Sequence, residues 1–142
     1  MARFGKGVKA LKKIDAALDK GMARFLIGSQ AKLSAASPVD TGRLASNWFI
    51  GQNQPERKTT SEEPWASKKK GAAPTIKVEK PLMKITADDG TWYISNNLPY
   101  AKRAAYDPYN GRVGAGDWFT GIVNNLDKDA QEAFDFHLKK LK

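Results

Sequence analysis

A chain of 142 residues and 15.6 kDa has room for a single core. It contains no cysteine, which excludes disulfides, thiolate zinc sites, iron–sulfur clusters and cysteine nucleophiles and fits a reducing compartment. Twenty-four Lys and Arg against fifteen Asp and Glu leave a formal charge of +9, so an anionic partner is expected: nucleic acid, an acidic protein surface or a headgroup layer. No apolar run reaches the ~18 residues of a membrane span, and the basic N-terminus lacks an apolar stretch, so neither a span nor a signal peptide is expected.

From Val8 to about Leu33 apolar residues recur at three- and four-residue steps (Val8, Leu11, Ile14, Leu18, Met22, Phe25, Leu26, Leu33), the period of a long amphipathic helix. Its stripe serves either core packing or a helix–helix contact between subunits. Gly21 and Gly28 lie close to the stripe, where a missing side chain permits close approach of another backbone. Ser37-Pro38 stops the helix. Asp40 is placed to cap a short second helix, with Val39 and Leu44 at the spacing of a hydrophobic staple. Asn47 to Ile50 reads as a strand that Gly51 breaks.

Residues 51–73 contain one large apolar residue, Trp65, too little to offset the entropy of ordering them. They are expected to form an extended arm, mobile alone and ordered by a partner, with Trp65 as anchor and Lys68, Lys69 and Lys70 as salt-sensitive contacts. A solvated insertion without a role is the alternative. Strand signals follow at Thr75 to Glu79, Leu82 to Ala87 and Thr91 to Ser95, the last two flanking Asp89-Gly90 as a hairpin turn. That register sets Ala87 opposite Trp92 and Ile85 opposite Ile94, with all four and Met83 facing the core. A long connection runs from Pro99-Tyr100-Ala101 to Gly116. Asp117 then caps a terminal helix with the stripe Trp118, Phe119, Ile122, Leu126, Ala130, Ala133, Phe134, His137 and Leu141. The pattern predicts one α+β domain over 1–142: long helix, short helix, small curled antiparallel sheet, C-terminal helix.

Signals for chemistry are sparse. His137 is the sole histidine, so no histidine pair can bind metal and no base stands beside a nucleophile. Glu62-Glu63 and Asp88-Asp89 are explained by a polar arm and a turn. The run Gly111-Arg112-Val113-Gly114-Ala115-Gly116 precedes a helix as a phosphate-binding loop does, but no Lys-Ser/Thr or parallel β-α-β unit accompanies it. It reads as a connector whose Arg112 can touch a passing phosphate. No enzymatic activity, cofactor, metal or small-molecule substrate is expected. The cationic clusters (Lys6, Lys9, Lys12 and Lys13; Lys68 to Lys70; Lys102-Arg103; Lys139, Lys140 and Lys142) are spread along the chain, which fits sequence-blind electrostatics better than base readout.

The run Ser37-Pro38-Val39-Asp40-Thr41-Gly42-Arg43-Leu44-Ala45-Ser46 resembles the Pro-x-Asp-Thr-Gly-x-Leu-x-x-Ser signature of a family of small tailed-bacteriophage neck or tail-completion proteins. Ile94-Ser95-Asn96-Asn97-Leu98-Pro99-Tyr100-Ala101 is similar to that family's strand ending in Asn-x-x-x-Tyr-Ala. Lys102-Arg103-Ala104-Ala105-Tyr106 stands where the family usually has a Glu-x-Gly-like turn. The resemblance implies a non-catalytic virion protein of the neck, met in the host cytoplasm during assembly. It implies a sixfold or twelvefold ring of this chain around the DNA channel, beside adjacent neck, portal-side or tail-terminator proteins, with no membrane contact. Pro38, Asp40, Thr41, Gly42 and Leu44 would be its structural motif. Candidate partner contacts are Trp65, Lys68, Lys69, Lys70, Tyr100, Lys102, Arg103 and Arg112. The rival reading is a free-standing, sequence-nonspecific nucleic-acid-binding protein, to which Trp65 and Tyr109 would supply stacking.

Overall fold

The computed structural model describes residues 2–37, 43–61, 78–81, 83–88, 90–106 and 117–141, without the side chains of 2–6 and 117. Helix α1, Ala2–Ala36, is the spine; at 35 residues it is about 52 Å long. A 3₁₀ turn at Ala45–Asn47 leads into strand β1, Phe49–Gln52, which pairs antiparallel with β2, Trp92–Ser95. Three helices follow: α2, Ala101–Tyr106; α3, Asp117–Asn124; and α4, Leu126–Leu138, which ends in a 3₁₀ turn at Lys139–Leu141. The chain is α+β, as its pattern predicts.

The core forms where α1 meets the sheet. Ile50 opposes Ile94 across the strands, and with Leu26 and Ile85 it makes a buried cluster flanked by Met22, Phe25 and Trp92. Tyr93, one residue out of phase, faces solvent. On the other side of α1, helix α4 runs antiparallel: Lys32 pairs with Asp129 at 2.8 Å near one end, and Gly21 meets Phe134 near the other. Helix α3 docks by its first turn. Phe119 stacks on Trp48 with ring centroids 6.3 Å apart, Trp118 meets the same indole edge-on, and its own indole N–H donates to Ala104 O of α2 at 3.0 Å.

Several expectations give way. The hairpin across Asp89-Gly90 does not form its ladder: β2 pairs with β1, Trp92 opposite Gln52 and Ile94 opposite Ile50. Residues 83–88 carry no strand, and side chains take two of their backbone groups instead, Asp19 Oδ1 accepting from Ala87 N at 2.8 Å and the Trp92 indole donating to Thr86 O at 3.1 Å. Ile85 still reaches the core that the expected register gave it. Asp89 itself lies outside the described residues. Of the strand expected at Thr75 to Glu79, residues 75–77 also lie outside, and Val78 and Glu79 are not in a strand.

Of the short second helix expected from Asp40, residues 38–42 lie outside the described residues, and the described remainder holds a 3₁₀ turn at Ala45–Asn47. Asn47 turns its side chain back on Arg43 O at 2.7 Å, and Trp48 leaves in an extended conformation. Gly51 lies within β1 and does not break it; a Cβ there would sit 2.5 Å from Gln54 O, because the chain folds back over this position. Asn53, in the left-handed region at φ 62°, makes that reversal. The C-terminal helix is two helices. Asn125 donates from its side chain to Gly121 O at 2.8 Å and from its backbone to Ile122 O at 3.1 Å, closing α3 before α4 starts. The connection after Tyr100 contains α2.

The expected arm at 51–73 is corrected over its first part. Residues 51 and 52 are strand, and 53–61 are held against the domain by amide side chains. Asn97 Nδ2 donates to Glu56 O and Lys58 O at 2.5 and 3.0 Å, and Ser95 Oγ donates to Glu56 O at 3.0 Å. Asn47 accepts from Thr60 N at 2.8 Å and donates to Thr60 O at 3.0 Å, and Lys58 pairs with Glu79. Residues 62–73, with Trp65, lie outside the described residues.

The two glycines of α1 separate. Gly21 admits α4 closely: a Cβ there would stand 2.5 Å from Phe134 Cδ1 and 3.0 Å from its Cα. Gly28 has nothing within 4 Å among the described residues, so it serves no close approach to any of them. Gly21→Ala is expected to cost about 1–3 kcal/mol through overpacking, and Gly28→Ala to add about 0.5–1 kcal/mol through helix propensity. Paired thermal melts check both signs.

Candidate assembly and polyanion-binding surfaces

Three regions bear on function: a buried polar seam at the expected motif, the exposed start of α1, and a cationic face shared by α1 and α4. The seam is built from the last turns of α1. Gln30, Ser34 and Ser37 recur at four- and three-residue steps, so they share one face of the helix, and all are buried. Gln30 Nε2 donates to Trp48 O at 2.7 Å and Glu79 O at 3.0 Å, binding two separate segments to the spine. Ser34 Oγ donates to Ala45 O at 2.7 Å. Ser37 Oγ donates to Leu33 O at 2.6 Å and accepts the Trp48 indole N–H at 2.8 Å. Buried amides and hydroxyls cost free energy unless paired; these are paired, and they fix segment 43–50 in one place.

Leu44 is buried, and its carbonyl accepts from Asn96 Nδ2 at 2.9 Å. Asn96 Oδ1 in turn accepts from Leu98 N at 3.3 Å, an Asx turn that directs the chain toward α2. The two stretches that carry the family resemblance therefore meet in space, 52 positions apart in sequence. Pro38, Asp40, Thr41 and Gly42 lie outside the described residues, as do Trp65, Lys68, Lys69, Lys70, Tyr109 and Arg112. Tyr100 is exposed ahead of α2, and Lys102 and Arg103 are exposed upon it.

At its start α1 has no described residue covering its apolar stripe. Val8, Leu11 and Ile14 are 49%, 62% and 41% exposed, although they continue the stripe that Leu18, Met22 and Leu26 bury further along.

The cationic face is a convergence that spacing along the chain conceals. Antiparallel packing carries the end of α4 back to the middle of α1. There the Arg24 guanidinium stands 3.8 Å from the Phe136 ring centroid and Lys140 Nζ 4.0 Å from it. His137, next in sequence, lines an open groove of about 860 Å³ with Lys20, Arg24, Lys32, Asp129 and Glu132. Partial burial first, and then Lys140, Arg24 and Lys20, hold its imidazole below the ordinary histidine pKa. Lys32 is engaged by Asp129; Lys20, Arg24 and Lys140 have no carboxylate partner among the described residues. Helix periodicity alone could have aligned the cations of α1, but the contribution of α4 depends on packing.

Among the described residues no group of three acidic or histidine side chains could hold a metal ion, and no helix is long and apolar enough to cross a membrane. No protein-family model, curated protein or solved structure matches the chain.

Asn47 is fully buried with both ends of its amide engaged. Asn47→Ala removes the acceptor of Thr60 N–H and the donor to the Arg43 and Thr60 carbonyls. The expected loss is about 3 kcal/mol, from three hydrogen bonds at about 1 kcal/mol each, with faster amide exchange concentrated at 53–61. Exchange measured by mass spectrometry on both proteins checks this.

Proposed function

We propose that this protein is a non-catalytic structural component of a tailed-phage neck, a head–tail connector or tail-completion subunit that assembles with copies of itself into a ring around the DNA channel. The observation that carries the reading is the start of α1. An apolar stripe that leaves its own domain and continues through Val8, Leu11 and Ile14 into solvent is the profile of a helix covered in an assembly. Head-to-tail contacts of that kind close into rings when the rotation per subunit permits.

The resemblance of residues 37–46 and 94–101 to neck proteins agrees with this reading, and the Asn96–Leu44 hydrogen bond, which joins the two stretches, supports an architectural role for them. Their work is to hold the junction between spine and sheet rigid, which a ring subunit requires under load. Sixfold or twelvefold symmetry, adjacent neck proteins as neighbours, and location in the virion after assembly in the host cytoplasm belong to the same proposal. The charge of +9 suits a chain that lines or approaches a polyanion.

Light scattering on size-separated protein, with negative-stain images of each peak, tests it. The expected result is a closed oligomer at high protein concentration that Leu11→Asp with Ile14→Asp reduces to monomer, the melting temperature of the monomer staying unchanged because those side chains bury nothing within the subunit. A native chain that remains monomeric at millimolar concentration, or an oligomer indifferent to the double substitution, would overturn the reading.

A further inference from the structure

We infer that Lys9, Lys13, Lys20 and Arg24 of α1, joined by Lys140 after α4, form a continuous track that binds the phosphate backbone of duplex nucleic acid without reading its bases. The inference names the surface through which the proposed neck protein would meet DNA. It rests on that reading only for where the DNA is encountered.

The track follows from helix geometry. Steps of four, seven and four residues bring Lys9, Lys13, Lys20 and Arg24 within about 60° of one another around the helix, along about 22 Å of its length. All four are exposed. The acids of the same stretch, Asp15 and Asp19, stand about 80° or more round the helix, and Asp19 is already committed to Ala87 N. The exposed apolar residues Val8, Leu11 and Ile14 project from the other side, so one surface is left for self-assembly and another for a polyanion.

Packing completes what one helix begins. Lys140 comes from the far end of the chain to the ring that Arg24 covers. The protein thus holds like charges beside each other without neutralising them internally, an arrangement whose repulsion is relieved when an external anion displaces its own counterions onto them. Lys and Arg on flexible stems meet phosphate as charges and hydrogen-bond donors. The track lies along an exposed helix flank with no described element placed to enter a groove, which favours contact with the backbone over base edges.

The lone histidine is a reporter built into the site. Partial burial first, and then Lys140, Arg24 and Lys20, lower its pKa, and phosphate bound to those cations would relieve their share and raise it. The acids Asp129 and Glu132 line the same groove, and Asp129 is already paired with Lys32.

The test measures affinity of the full-length chain for a random-sequence DNA duplex, by fluorescence anisotropy across a salt series. Five phosphate contacts give an expected slope of log K against log salt of about −4.5. Lys20→Gln, Arg24→Gln and Lys140→Gln combined should weaken binding about tenfold or more at moderate salt and flatten the slope by about 2 to 3. Arg57→Gln, Lys80→Gln and Lys84→Gln combined, an equal charge change elsewhere on the surface, should change neither. Duplex RNA should bind with a similar slope, and the His137 imidazole, followed by proton NMR, should titrate at higher pH in the complex. Circular dichroism confirms that each variant folds. The inference is overturned if the native chain ignores DNA at low salt, which would turn the track toward an acidic protein surface. It is overturned equally if both triple variants lose the same affinity, or if vesicles containing phosphatidylserine bind the track more tightly than DNA. Scattering on the same samples separates this from the ring: a monomer that binds through the track sinks the ring alone, and a ring that ignores DNA sinks the track alone.

Discussion

Gln30 is the residue on which the rest of the fold depends. Its amide, 1% exposed in the interior of α1, donates one hydrogen to the carbonyl just ahead of β1 and the other to Glu79 O. A buried primary amide with a missing partner costs roughly 1–3 kcal/mol, so only an arrangement that brings both segments to the helix together is low in energy. An apolar residue at position 30 would tolerate sliding of either segment; an amide does not. Ser34 and Ser37 extend the same logic, and the Trp48 indole, held by Ser37, becomes the platform on which α3 docks.

Polar side chains also explain how a segment with almost no apolar content is held. Between Asn53 and Ser61 nothing large enters the core, yet Asn47, Asn97 and Ser95 pair its carbonyls and an amide with the domain. Composition predicts an arm because it counts apolar area against chain entropy. That accounting leaves out side-chain amides placed on neighbouring elements, which satisfy the backbone of a loop one group at a time.

What was legible in the sequence was whatever local period or local stereochemistry decides. The period of α1, the stop after Ser37, the apolar face of β2 and the stripe of Trp118 through Phe134 are local facts, and the structure agrees with them. Strand partners are not local. Asp89-Gly90 has the chemistry of a tight turn, yet β2 prefers β1, since that pairing brings Ile50 and Ile94 together over Leu26. The break at Asn125 lay hidden in an apolar stripe that runs straight through it. The cationic face needed two parts of the chain, more than a hundred residues apart, to be packed before it existed.

The unsupported start of α1 has a consequence for cooperativity. Residues 7–16 are all exposed, so their helical hydrogen bonds receive no help from tertiary burial, and a helix of that length is marginal in water by itself. Opening free energy must therefore fall along the spine, from the full stability of the domain near Leu33 toward nearly nothing at the N-terminus. A contact that covered Leu11 and Ile14 would also stabilise the helix beneath them, and such an association and the last step of folding would then be one event.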